Sequence, residues 1–91
     1  MLVSPPLYQL ILDNKSLFWG VADSALSSLS EEAVVETILN FGTVESVKKL
    51  FEILSIERVA EIFFEQQARK RNNYFPQVSN FFTLYFEKHA S

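Results

Sequence analysis

Residues 43–67, TVESVKKLFEILSIERVAEIFFEQQ, decide the fold of this chain. Apolar side chains recur in steps of three and four on both sides of Ser55, as in two amphipathic helices. A serine hydroxyl accepts a hydrogen bond from the backbone N–H groups that open a helix, so Ser55 can end the first helix and cap the second. The stretch therefore predicts helices at 43–54 and 56–67, joined by a single residue.

Similar signals outside this stretch predict three more helices. Ser30 precedes two glutamates, which favour the positive N-terminal end of a helix dipole, and this predicts a helix at 31–41. Gly42 follows it, and we expect this glycine to adopt the left-handed conformation that commonly ends helices. The remaining helices are predicted at 76–88 and, shorter, near 7–13.

These elements predict an all-α fold. A length of 91 residues is that of one domain. We predict a disordered N-terminus at residues 1–6 and a single helical domain at 7–89, a compact bundle of four main short helices plus the N-terminal one. The segment LFWGV at 17–21 is too short for a useful helix. We predict that Phe18 and Trp19 within it fold under the helices as core anchors.

Composition restricts the chemistry that the chain can perform. It has no cysteine, so disulfides, thiolate metal sites and cysteine nucleophiles are excluded. Its two glycines stand alone and cannot form a phosphate-binding loop, and its one histidine is His89. We therefore predict a non-enzymatic protein with no catalytic residue, metal site, cofactor or small-molecule substrate. The lack of a leader peptide or long apolar run predicts a cytoplasmic protein with no membrane segment.

The last predicted helix carries more apolar residues than a surface helix needs, and a basic run precedes it. Such a surplus on a small domain often marks a partner surface. We predict a protein partner, either a different protein or a second copy of the chain. The residues predicted to form this interface are Arg69, Lys70, Arg71, Phe82, Tyr85 and Phe86.

A helix-turn-helix DNA reader that uses residues 43–71 is the alternative. Two consecutive short helices fit this motif, and the basic run could contact phosphate. The single-residue joint is shorter than the usual turn of three or four residues. Glu57, Glu61 and Glu65 also share one face of the would-be reading helix, where they would repel phosphate. Nucleic-acid binding is therefore not the favoured hypothesis.

Three stretches carry a resemblance to a known family. They are LFWGV at 17–21, ILNFGTVESVKKLFEILSIERVAEIF at 38–63 and SNFFTLYF at 79–86. Together they resemble a small prokaryotic family of helical proteins of unknown function, over about residues 10–88. Gly20 stands where Asp is common in that family, and Phe82 where Trp is common. Such proteins are similar to ones encoded beside nucleotidyltransferase-like toxins of the abortive-infection type, which implies an antitoxin-like role with a neighbour-encoded partner.

Overall fold

The computed structural model describes residues 4–69 and 73–89. The elements in chain order are α1 (Pro5–Asp13), two 3₁₀ turns (Lys15–Phe18 and Asp23–Ser28), α2 (Glu31–Phe41), α3 (Val44–Leu54), α4 (Ile56–Gln67) and α5 (Pro76–His89). No strand occurs in this part of the chain. The predicted all-α class is confirmed, and the bounds of the four main helices agree with the prediction to within one residue.

Helix α1 begins earlier than predicted. The side-chain oxygen of Ser4 accepts a hydrogen bond from the Leu7 N–H at 3.4 Å, and two prolines form the first turn. Proline suits this position because its missing N–H would have no partner within the helix. The predicted disorder is therefore wrong for residues 4–6, which open the helix, while residues 1–3 lie outside the described part of the chain.

Hydroxyl side chains cap the next three helices. Ser30 and Thr43 each accept a hydrogen bond from the backbone N–H three residues further on, at 3.1 and 3.2 Å. Ser55 ends α3 and caps α4, accepting from the Arg58 N–H at 3.2 Å, as predicted. Its backbone has φ 70° and ψ 150°, a region that residues with a side chain rarely occupy.

Gly42 ends α2 in a conformation that differs from the prediction. Its backbone is extended, with φ −75° and ψ 166°, so the expected left-handed conformation is wrong. The position needs glycine for space instead. A Cβ atom there would lie 2.5 Å from the carbonyl oxygen of Ile38 and would also collide with Oγ of Ser46. Helices α2 and α3 can meet at this corner because residue 42 has no side chain.

Helix α4 is the centre of the bundle. It packs against α2, α3 and α5, while α1 packs on α3. The ring of Phe63 is fully buried and contacts those of Tyr74, Phe82 and Phe86 edge to face, with centroids 5.1 to 6.2 Å apart. This aromatic packing fastens α5 to the bundle. The other buried apolar residues are Leu7, Leu10, Ile11, Phe18, Leu26, Val34, Val35, Ile38, Leu39, Leu50, Val59, Ala60 and Ile62.

Polar side chains fix the short segment that leads into α5. Asn40 donates to the carbonyl of Asn73 at 2.9 Å and accepts from the N–H of Phe75 at 3.1 Å. The buried hydroxyl of Tyr74 donates to Oε1 of Gln66 at 2.5 Å, and the amide of that glutamine donates to a backbone carbonyl of α2 at 3.0 Å. The start of α5 is therefore tied to α2 and α4 by directional bonds as well as by apolar packing.

Candidate interaction groove

The residues that were predicted to form a partner interface differ in their burial. Phe82 and Phe86 are only 7% and 1% exposed and belong to the core, although Phe82 also forms part of the lining of a groove between α3 and α5. Tyr85 is half-buried and Arg69 is exposed. The other two members of the basic run, Lys70 and Arg71, lie outside the described residues.

The apolar side chains of α5 that do face outward are Phe81 and Leu84. They are 58% and 60% exposed. Phe82 and Phe86 stand four residues apart on the side of the helix that meets α4, and that side takes the core positions. The apolar surplus predicted for this helix is therefore present, but its exposed part lies at different residues from those predicted.

The adjacent aromatic residues Phe18 and Trp19, which precede α2, also differ in burial. Phe18 lies in the core, as predicted, but Trp19 is 83% exposed and its predicted role as a core anchor is wrong. Neighbouring side chains of a 3₁₀ turn point about 120° apart, so only one of the two reaches the interior. An ion pair between Lys15 and Asp23, at 2.8 Å, spans the loop that presents the tryptophan.

A groove of about 460 Å³ lies between α3 and α5, and the corner between α2 and α3 forms one end of it. Its apolar walls are Val44, Val47 and Phe51 of α3, and Val78, Phe81 and Tyr85 of α5. Val44 is 71% exposed and stands on the rim opposite the α5 wall. An open, apolar concavity between two helices is the shape that receives side chains from another molecule.

Three stacked rings join the two walls of the groove. The ring of Tyr85 lies between those of Phe81 and Phe51, at 6.0 Å from each, with interplanar angles of 21° and 17°. Phe51 belongs to α3, whereas the other two rings belong to α5. The aromatic surface is therefore continuous from one helix to the other.

Among the described residues, Lys48 is the one charged residue of the groove lining. It forms no ion pair with any residue in 4–69 or 73–89. The chain as a whole has a net charge of −3, so this positive rim is a local exception. Its sequence neighbour Lys49 faces away from the groove and lines a cleft with Asp13 of α1.

The sequence contained a signal for this wall of the groove that the prediction did not use. Val44, Val47 and Phe51 recur at i, i+3 and i+7, which by itself forms a complete stripe on a helix. Leu50 belongs to a second stripe and is the fully buried apolar residue of α3. Two apolar stripes on one short helix indicate more apolar surface than the core covers, and the excess is at Val44, which is 71% exposed.

Helix α4 presents acidic side chains to solvent. Glu57, Glu61 and Glu65 are all exposed. Arg58, the basic side chain near the start of this helix, is paired with Glu31 at 3.2 Å and with Glu61. These contacts, the hydrogen bond to Glu31 above all, raise the pKa of the Arg58 guanidinium. The arginine that a DNA-reading helix would use is therefore engaged within the protein.

Residues 4–69 and 73–89 contain no group of three or more His, Cys, Asp or Glu side chains that could hold a metal ion. In the same part of the chain, every helix is too short or too polar to span a membrane. The chain matches no protein-family model, and no curated protein or solved structure is significantly similar to it.

Proposed function

We propose that this chain is a non-enzymatic protein-interaction module whose contact surface is the groove between α3 and α5. The observation that carries the proposal is the exposed apolar rim, in which Val44 and Phe81 stand on opposite walls. Side chains of this kind cost free energy when they remain in water, and a contiguous patch of them is typical of a surface that another protein covers.

The specific form of the proposal is an antitoxin-like role in the cytoplasm, with the product of a neighbouring gene as partner, a toxin of the nucleotidyltransferase type. The resemblance supports this form, and the groove supports a protein partner in general. The exposed acids of α4 and the engaged Arg58 favour a protein over DNA as partner. Phosphate would meet negative charge on the helix that has to approach it.

Co-expression with the neighbouring gene product tests the proposal. We expect the two proteins to co-purify, Phe81→Glu to abolish the complex, and the matched control Leu12→Glu to preserve it. Leu12 is also a partly exposed apolar residue, but it lies on α1 outside the groove lining. Circular dichroism checks that both variants keep the helical fold.

Two results would overturn the proposal in different ways. If a folded Phe81→Glu variant bound the partner as tightly as the unmodified chain, the groove would not be the contact surface. If the unmodified chain bound neither the neighbouring product nor a second copy of itself in sedimentation velocity, the chain would not be an interaction module of the proposed kind.

A further inference from the structure

We infer that the groove receives one amphipathic helix of a partner protein, and that this helix places a carboxylate opposite Lys48. The inference rests on the proposed function and names the chemistry of the occupant. Three features of the groove carry it, namely the length of its walls, the charge of its rim and the small area of the apolar patch.

The length of the groove suits two turns of a helix. Val44 and Phe51 mark the ends of the α3 wall, and Val78 and Tyr85 mark those of the α5 wall. Each pair is seven residues apart, which corresponds to about 10 Å at ~1.5 Å per residue. A helix that anchors in a groove does so with side chains at i, i+4 and i+7, which span the same distance.

The width of the groove suits side chains rather than a whole helix. Its volume of about 460 Å³ lies at the lower end of the ~300–1,000 Å³ typical of pockets that take a small ligand. A helix with its side chains is ~10–12 Å across. The backbone of the partner would therefore lie along the rim, against Val44 and Phe81, while its apolar side chains enter between the walls.

The positive charge of the rim indicates that the partner helix carries an acidic residue beside its apolar side chains. Lys48 lies between Val47 and Phe51 on the α3 wall. Within the part of the chain that the structure describes, it is the one charged residue of the lining and has no ion-pair partner. A carboxylate one helical turn from an apolar anchor would meet this ammonium group at the edge of the contact. Pairs at such a rim contribute modestly to affinity and more to the choice of partner.

A second copy of the chain fits the groove less well. The projecting apolar side chains of the groove rim are Val44 and Phe81, between half and three-quarters exposed. Together they expose at most roughly 320 Å², since even a large aromatic side chain offers no more than ~250 Å². A stable interface buries about 800 Å² on each partner. A face-to-face dimer would also bring two copies of the same net charge of −3 together.

Two synthetic peptides of 14 residues test the inference. Both carry Leu at i, i+4 and i+7, and they differ only at the positions beside this stripe, which are Glu in one peptide and Lys in the other. A scrambled version of the Glu peptide is the control for the stripe. Fluorescence anisotropy measures affinity, and amide chemical shifts locate the bound peptide on the protein.

We expect the Glu peptide to bind about fivefold more tightly than the Lys peptide at low salt, the size expected for one exposed ion pair. The preference disappears at 1 M salt, where charges are screened within about 3 Å. Lys48→Glu reverses the preference. Lys49→Glu, the same change at the neighbouring residue that faces away from the groove, leaves it unaltered.

The outcomes separate this inference from the proposed function. Three results would overturn the inference that an acidic amphipathic helix occupies the groove. They are equal affinity for both peptides, an unaltered preference in Lys48→Glu, and binding of the scrambled peptide. Self-association that Phe81→Glu abolishes, with no binding of either peptide, would assign the groove to a second copy and overturn the inference alone. Peptide binding that survives Phe81→Glu would overturn both, because the groove would not be the surface used.

Discussion

Replacement of Ser55 by glycine is expected to stabilise the protein, although it removes a helix cap. Ser55 joins α3 to α4 with φ 70° and ψ 150°. This part of backbone space is nearly restricted to glycine, because a Cβ atom collides with the neighbouring peptide groups. At the same time the Ser55 hydroxyl accepts a hydrogen bond from the Arg58 N–H. The substitution therefore sets relief of backbone strain against loss of a cap.

The magnitude follows from three terms. Relief of the strained backbone contributes about 1–3 kcal/mol. Loss of the cap on going from serine to glycine costs a few tenths of a kcal/mol, and the greater freedom of glycine in the unfolded chain costs ~0.5–1 kcal/mol. The net effect is a gain of about 1 kcal/mol, or an increase in Tm of roughly 4–8 °C for a domain of this size. Ser55→Ala keeps the strain and loses the cap, so it destabilises by ~1 kcal/mol.

Urea unfolding followed by circular dichroism at 222 nm measures both variants, and an unchanged slope confirms that the two-state comparison holds. Ser30 is the matched control, since it caps α2 from an ordinary extended backbone with φ −77°. There, glycine and alanine should both destabilise. If Ser55→Gly proved less stable than Ser55→Ala, or if the two serines responded alike, strain at the α3–α4 joint would be refuted.

Three further substitutions test other parts of the fold. Gly42→Ala should destabilise by about 1–3 kcal/mol in urea unfolding because its Cβ would collide with α2, whereas Gly20→Ala, which has open space, should have little effect. Phe63→Ala should cost ~3–5 kcal/mol and shift the thermal unfolding curve accordingly, since the ring is fully buried; a loss below 1 kcal/mol would contradict its central place. Burial, and secondarily the charge of Glu36, raise the pKa of the Tyr74 hydroxyl above its ordinary value of about 10. The unfolded chain therefore releases this proton at a lower pH than the folded chain. The contribution of Tyr74 to stability is complete below pH ~10 and is lost as the pH rises above it. Tyr74→Phe should therefore show a smaller loss of stability between pH 9 and 11.

The bounds of the four main helices could be predicted because their signals are local. A hydroxyl residue stands directly before each of the amphipathic helices α2, α3 and α4, namely Ser30, Thr43 and Ser55. In that position it can accept a hydrogen bond from a free N–H group at the start of the helix, and this does not depend on tertiary structure. The all-α class follows from the same signals. Each helix end needs only a few consecutive residues to be specified.

The inward or outward direction of neighbouring aromatic residues could not be predicted in the same way. Phe18 and Trp19, or Phe81 and Phe82, are alike in hydrophobicity, and tertiary packing decides which one of each pair is buried. The conformation of Gly42 was mispredicted for a related reason. A Cβ atom there would collide with Ile38 and Ser46, and this crowding depends on the backbone path between α2 and α3, which the residue type alone does not specify.

The stack of Phe81, Tyr85 and Phe51 has a magnetic consequence. Each aromatic ring carries a ring current that changes the shielding of nearby nuclei, and Tyr85 is stacked with two other rings. The chemical shifts of its ring protons should therefore differ from those of an isolated tyrosine. A molecule that enters the groove has to cover or part these rings, which changes the shielding. With three tyrosines in the chain, the Tyr85 signals are an unlabelled proton NMR reporter of groove occupancy.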